Sequence, residues 1–135
     1  KVEQLEERFL DNPVLALTHC KDSIMSMANI TEKNLFRAFD LISHYNENNA
    51  QKVITAEDVV DQYEDVLGSY LMKITSLTLS HQQSMETSLY LHTVTDFERV
   101  SDHSVNIQKA ALEISEKGIK FSEDAAAYDY ESAFH

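Results

Sequence analysis

The chain predicts an all-α fold: an antiparallel three-helix bundle of long helices, with a short extra helix at the carboxyl end. Three observations carry that expectation. Apolar residues recur at alternating steps of three and four over long stretches, the period of a helix that buries one face. Short polar breaks separate these stretches, which sets consecutive helices antiparallel. Two glycines and one proline in 135 residues supply too little turn chemistry for a many-stranded sheet.

Residues 1–12 form a charged lead-in, with Leu5, Phe9 and Leu10 available to dock. Pro13 suits a first helical position, with Asn12 or Asp11 as its cap. Val14, Leu17, Ile24, Ala28, Leu35, Ala38, Ile42 and Tyr45 then keep helical spacing, interrupted by Lys21 and Thr31. They predict a first helix over 13–45, broken at 46–49 by Asn-Glu-Asn-Asn. The second stripe is cleaner: Val53, Ala56, Val60, Tyr63, Leu67, Tyr70, Ile74 and Leu77 predict a helix over 50–79. Gly68 lies inside it at a cost of about 1 kcal/mol relative to alanine, either to permit a close helix contact or incidentally.

Ser80, followed three residues later by Gln83, reads as a capping box. It opens a third helix over 82–117, whose stripe runs through Leu89, Leu91, Val94, Phe97, Val100, Ser104, Ile107, Ala111 and Ile114. Gly118 is expected to stop it. Ser122-Glu123-Asp124 would start a further helix over Ala125–Phe134, too short to be stable alone. The organisation is therefore a lead-in at 1–12, a bundle at 13–117 and a tail at 118–135.

A hydrophobic content of 43% supports one domain with a real core. The net charge of -12 argues against nucleic acid and anionic membranes as partners and favours cations or basic partners. Cys20 is the single cysteine; it cannot form an internal disulfide and reads as a core thiol. No apolar run approaches the roughly 18 residues that span a bilayer. The first residue is Lys1 rather than methionine, as expected of a piece excised from a longer protein.

Most of the chemistry lies between Asp96 and Ile107. Glu98 and Asp102 sit four apart, so their carboxylates share one helix stripe and repel unless a cation offsets them. Glu57 and Asp61 repeat the spacing on the second helix, with Asp65 continuing the row and Asp58 and Glu64 nearby. Neither pair falls on the apolar seam; both lie beside it. Spacing alone decides nothing, because a chain this acidic gives about four such pairs by chance. Glu3/Glu7, Glu7/Asp11 and Asp61/Asp65 bring the observed number to five.

The surrounding residues are more specific. Asp96–Ile107 resembles the signature string of the PhoU family, with Glu98, Arg99, Asp102, His103, Asn106 and Ile107 in matching places. Ile54–Asp61 is similar to that family's acidic-x-x-x-Asp segment. Phe9–Leu17 resembles the approach to the cytosolic PhoU-like part of bacterial sodium-dependent phosphate cotransporters. The likeness covers most of residues 9–117, with Ser101 standing where the family usually has glycine.

The resemblance implies a PhoU-like, spectrin-like bundle, usually found in tandem repeats, that regulates phosphate uptake or phosphate signalling and is not an enzyme. It implies a metal site at Glu57, Asp61, Glu98 and Asp102, holding iron or zinc in some members. Oxygen-only ligands by themselves suit hard cations such as magnesium, manganese, calcium or iron. The expected setting is the cytoplasm, as a domain of an inner-membrane protein. The expected partner is a membrane-embedded phosphate transporter or a phosphate-signalling regulator, with pairing of the chain into a homodimer as a further expectation. A free-standing PhoU-type regulator is the alternative.

Other chemistry is poorly represented. His19, His44, His81, His92, His103 and His135 never pair at metal-binding spacing on one helix. A carboxylate-bridged metal enzyme would want Glu-x-x-His pairs, and no glutamate precedes a histidine by three. His103 and Asn106 are expected to hydrogen-bond along or across helices. Tyr63, Tyr70, Met25, Met27 and Met85 read as core. No glycine-rich phosphate loop occurs, and Arg99 is the one basic residue near the acidic face.

Overall fold

A computed structural model describes the backbone of residues 5–133, and the side chains of these residues except 121 and 128–133. His135 and Phe134 lie outside the described residues. A short 3-10 helix, Glu7–Asp11, leads into three α-helices: α1 (Pro13–Ser43), α2 (Glu47–Thr75) and α3 (His81–Ala133). Each helix packs on the other two, giving an all-helical, up-down-up bundle of the expected class.

The helix starts follow their local chemistry. Asn12 Oδ1 accepts from the Val14 and Leu15 amides at 3.1 and 3.4 Å, and Pro13 occupies the first turn where no amide donor is needed. Asn46 caps α2 by accepting from Asn49 N at 3.0 Å. The break between α1 and α2 is therefore shorter than expected, and Asn48 and Asn49 lie inside α2. The capping box forms in full: Gln83 N donates to Ser80 Oγ at 3.1 Å, and Ser80 N donates to Gln83 Oε1 at 2.9 Å.

α2 buries the stripe read from its sequence, with Val53, Val60, Tyr63, Leu67, Tyr70 and Ile74 in the core. α1 does not. Its buried line is Leu17, Cys20, Ile24, Met27, Thr31, Asn34, Ala38 and Leu41, in strict steps of three and four. Val14 and Ile42 are exposed, and Ala28, Leu35 and Tyr45 are half-buried. Two polar residues on the inner face explain the displacement. Thr31 belongs to the buried line instead of interrupting it, and Asn34 is fully buried. Met27 is core as expected, whereas Met25 and Met85 are surface residues.

Asn34 satisfies its buried polar atoms across the bundle. Its Nδ2 donates to Val53 O at 3.0 Å, and its Oδ1 accepts from Arg37 Nη1 at 3.1 Å. A buried amide anchored this way ties α1 to one position on α2. Asn106, expected to hydrogen-bond across helices, is exposed.

The core falls into two clusters. The larger joins the amino-terminal half of α1 to the carboxyl-terminal half of α2 and the start of α3. Leu5, Phe9 and Leu10 pack against it, so the lead-in docks as expected; Phe9 also stacks on His19 at 4.3 Å, and Tyr70 Oη donates to Glu6 O at 2.8 Å. The smaller cluster holds Ala38, Leu41, Ala50, Val53 and Ala111 at the opposite end.

α3 continues well past that second cluster. Gly118 does not stop it, because its backbone φ is not positive and it takes an ordinary helical conformation. The helical segment expected after Ser122 is present as the continuation of α3. From Leu112 to Ala133 the helix projects about 30 Å at 1.5 Å per residue, with Ile114 and Ile119 exposed along it.

Candidate functional site

The rotation of α2 is fixed by its buried residues Ala56, Val60 and Tyr63, the first of them half-buried. Glu57, Asp61 and Glu64 each follow one of these by a single position. They therefore run along the rim of the seam, neither in the core nor on the outer face. On α3, Ser101 and Ser104 are fully buried, and Glu98 and Asp102 flank them. Small side chains at that seam leave the backbones free to approach, which brings the α3 rim to the α2 rim.

The two rims meet. Carboxylate oxygens of Asp61, Glu64 and Glu98 lie within 4.8 Å of one another, and those of Glu57, Asp58 and Asp61 do likewise. Asp61 belongs to both sets and joins them. Of the four expected ligands, Glu57, Asp61 and Glu98 are thus in the cluster. Asp102 is exposed and outside both sets, but it hydrogen-bonds to Glu98. Glu64 completes the contact between helices and Asp58 extends the α2 side. Asp65, though four residues from Asp61, is exposed beside a cleft of about 250 Å³ lined by Leu5, Glu7, Val66 and Lys73.

Crowding shows in the proton affinities. The Glu57 carboxyl is raised from 4.5 to about 7, first by burial, then by its hydrogen bond to Asp61 and the charges of Asp61, Asp58 and Asp102. Glu98 is raised from 4.5 to about 7 by burial, the hydrogen bond and charge of Asp102, and the charges of Glu64 and Asp61. Burial followed by the charges of Asp61, Asp65 and Asp102 also raises Glu64. Residues of one helix perturb those of the other, so the carboxylates form one electrostatic unit.

Among the described residues, no lysine or arginine ion-pairs with any of these six carboxylates. Arg99 reaches Asp96 at 3.8 Å instead. His103 is exposed and belongs to neither carboxylate set. The site therefore offers oxygen donors alone and a concentrated negative charge, the donor set of a hard cation. Asn34, Thr31 and Ser101, buried polar residues near the helix seams, had no signal in the hydrophobic pattern.

Cys20 is buried and its thiol is pushed up to about 12, first by burial and then by the charge of Glu86. Among the described residues, no helix is long and apolar enough to cross a membrane.

The family model described as the PhoU domain matches residues 24–111, a span that contains every carboxylate of the cluster. A phosphate-specific transport system accessory protein PhoU homolog from Clostridium acetobutylicum is 22% identical over 98 residues, covering 70% of this chain and 44% of that protein. The chain thus spans less than half the length of this relative. No solved structure matches it. Since the matched span takes in more than half of the residues, the chain belongs to the PhoU family.

Proposed function

We propose that the chain is a non-catalytic regulatory module of a phosphate transport system, and that a cation bound by its acidic cluster sets its docking surface. The observation that carries this reading is the meeting of Asp61 and Glu64 of α2 with Glu98 of α3. A cation there would be held by Asp61, Glu64 and Glu98, with Glu57 beside Asp61 and Asp102 beside Glu98. It would offset the repulsion that raises Glu57 and Glu98, and it would tie α2 to α3. The donor chemistry favours iron, manganese or magnesium; zinc, expected from the family likeness, usually adds nitrogen or sulfur ligands.

The accessory protein from Clostridium acetobutylicum favours a PhoU-type regulator acting on phosphate uptake from the cytoplasm. Attachment to a sodium-dependent phosphate cotransporter is supported by the Phe9–Leu17 likeness alone, so it takes second place. A carboxylate-bridged metal enzyme is disfavoured, because both carboxylate sets lack histidine.

Two measurements test the reading. Elemental analysis of the purified chain is compared with that of a Glu98→Gln/Asp61→Asn variant; the expected result is metal in the first and at least a tenfold loss in the second. Cells lacking the parent gene are then assayed for phosphate uptake with each form restored. Equal metal content in both forms would remove the site. Unaltered uptake in the deletion strain would remove the regulatory role.

A further inference from the structure

We propose that the groove between α1 and α2 binds a small amphipathic anion, with a carboxylate or phosphate head and an alkyl tail about 10 Å long. The inference stands apart from the acidic cluster and from the phosphate reading. A cleft of about 400 Å³ opens between the two helices, within the size range of small-molecule sites. Arg37 and Lys52 line it, and among the described residues neither is held in an ion pair. The chain has 23 acidic residues against 11 lysines and arginines, yet no carboxylate and no aromatic ring lines this cleft. Asp40, three residues past Arg37, is paired with His44 at 3.4 Å, and Glu47, next to Asn48, accepts from Tyr45 Oη at 3.4 Å. At about 100° per residue, Asn48, Lys52, Thr55 and Val59 lie roughly opposite Glu57, Asp61 and Glu64 around α2. One rim of that helix is thus acidic, while the other carries Lys52 and shares the cleft with Arg37.

The cleft is polarised along its length. The hydrogen bond from Asn34 to Val53 O sets the level of one antiparallel helix against the other. Arg37, Asn48, Gln51 and Lys52 therefore sit at one end, and Ile30, Ala56 and Val59 at the other. The rise from Ile30 to Arg37 is about 10 Å. At the charged end, Asn34 Oδ1 accepts from Arg37 Nη1 at 3.1 Å, and Asn34 is itself buried and fixed to α2. The guanidinium is held in place before a ligand arrives, and its remaining N–H donors suit the paired oxygens of a carboxylate or phosphate. Lys52 adds a second positive charge. The other end offers aliphatic surface with no ring on which a nucleobase could stack, so it fits an alkyl chain.

Titration calorimetry of the 135-residue chain with octanoate and with octyl phosphate tests this. Binding is expected, with amide shifts in 15N spectra centred on residues 48–59. Butanoate and inorganic phosphate, which lack the tail, should bind at least about 10-fold more weakly than the octyl compounds. Octanol, which lacks the head, should also bind at least about 10-fold more weakly. Arg37→Gln should weaken octanoate binding at least about 10-fold and Lys52→Gln about 5-fold. Lys21→Gln makes the same change of charge outside the groove and should stay within about 2-fold of wild type. Arg37→Gln also takes a partner from buried Asn34, so its helix content is checked by circular dichroism; Lys52 is exposed, and its variant decides if the first unfolds. Binding of one head group and not the other supports the proposal and names the head. Failure of both octyl compounds to bind overturns it. So does butanoate or inorganic phosphate bound as tightly as they are, or a Lys52→Gln chain equal to wild type.

Discussion

Glu98→Gln should have opposite effects on stability with and without metal. The folded chain holds the Glu98 carboxyl at about 7 against an ordinary 4.5. At about 1.4 kcal/mol per pH unit, the ionised form costs at most about 3.5 kcal/mol in the folded state. Solvent at the rim screens part of that, and Asp61, Glu64 and Asp102 remain after the substitution. A net gain of about 1 kcal/mol is expected, or about 4 °C in Tm. The pH dependence has a definite sign. A carboxyl raised on folding destabilises the native state above its folded value, by an amount that shrinks as pH falls from about 7 to 4.5 and is absent below. Thermal unfolding in EDTA should therefore show Glu98→Gln more stable than wild type at pH 8 and equal to it near pH 4. With a cation at about one hundred times its Kd, the wild type gains about 2.7 kcal/mol. The variant, short of one anionic ligand, gains less and becomes the less stable of the two. A Glu98→Gln chain less stable than wild type in EDTA at pH 8 would refute the electrostatic reasoning; an undiminished gain from metal would refute the ligand assignment.

Three further substitutions test the packing. Thr31 is 3% exposed and its hydroxyl has no hydrogen-bond partner, so Thr31→Val should stabilise the chain by about 1 kcal/mol in urea unfolding. A Cβ on Gly68 would meet nothing within 4 Å, so Gly68→Ala should add about 1 kcal/mol from helix propensity alone; destabilisation would show that the glycine serves a contact. Ser80→Ala removes half of the α3 capping box and should lower stability by about 1 kcal/mol, read as a shift of the urea midpoint at constant slope.

How much of this was legible depended on how far burial follows hydrophobicity. α2 could be read directly, because every position of its inner line is apolar or aromatic. α1 misled because Thr31 and Asn34 face inward while Val14, Met25, Phe36 and Phe39 face outward; a hydrophobic count cannot see an asparagine whose donors and acceptors are met across the bundle. On α3 the buried line passes through Thr87, Ser101, Ser104 and Gln108, again polar. The Gly118 stop failed because a glycine ends a helix only where the chain turns to positive φ, and nothing turns it there. At the site, Glu57, Asp61 and Glu98 were visible through the family string. Glu64 was noted beside the row but left out of the ligand set, because a search for carboxylates four apart omits the residue three beyond Asp61. Asp102 was expected as a ligand; its place beside Glu98 and outside the shared oxygen sets depends on how the two helices meet.

The solitary thiol of Cys20 offers a clock. Sealed within the larger core cluster and held protonated up to about pH 12, it cannot be alkylated at neutral pH until α1 lifts away from its neighbours. Labelling rate in an excess of iodoacetamide therefore measures how often the bundle opens, in the native protein and without added dye. A cation bridging α2 and α3 should slow that clock only if opening α1 also parts the other two helices, so one cysteine can report whether the three helices separate together or singly.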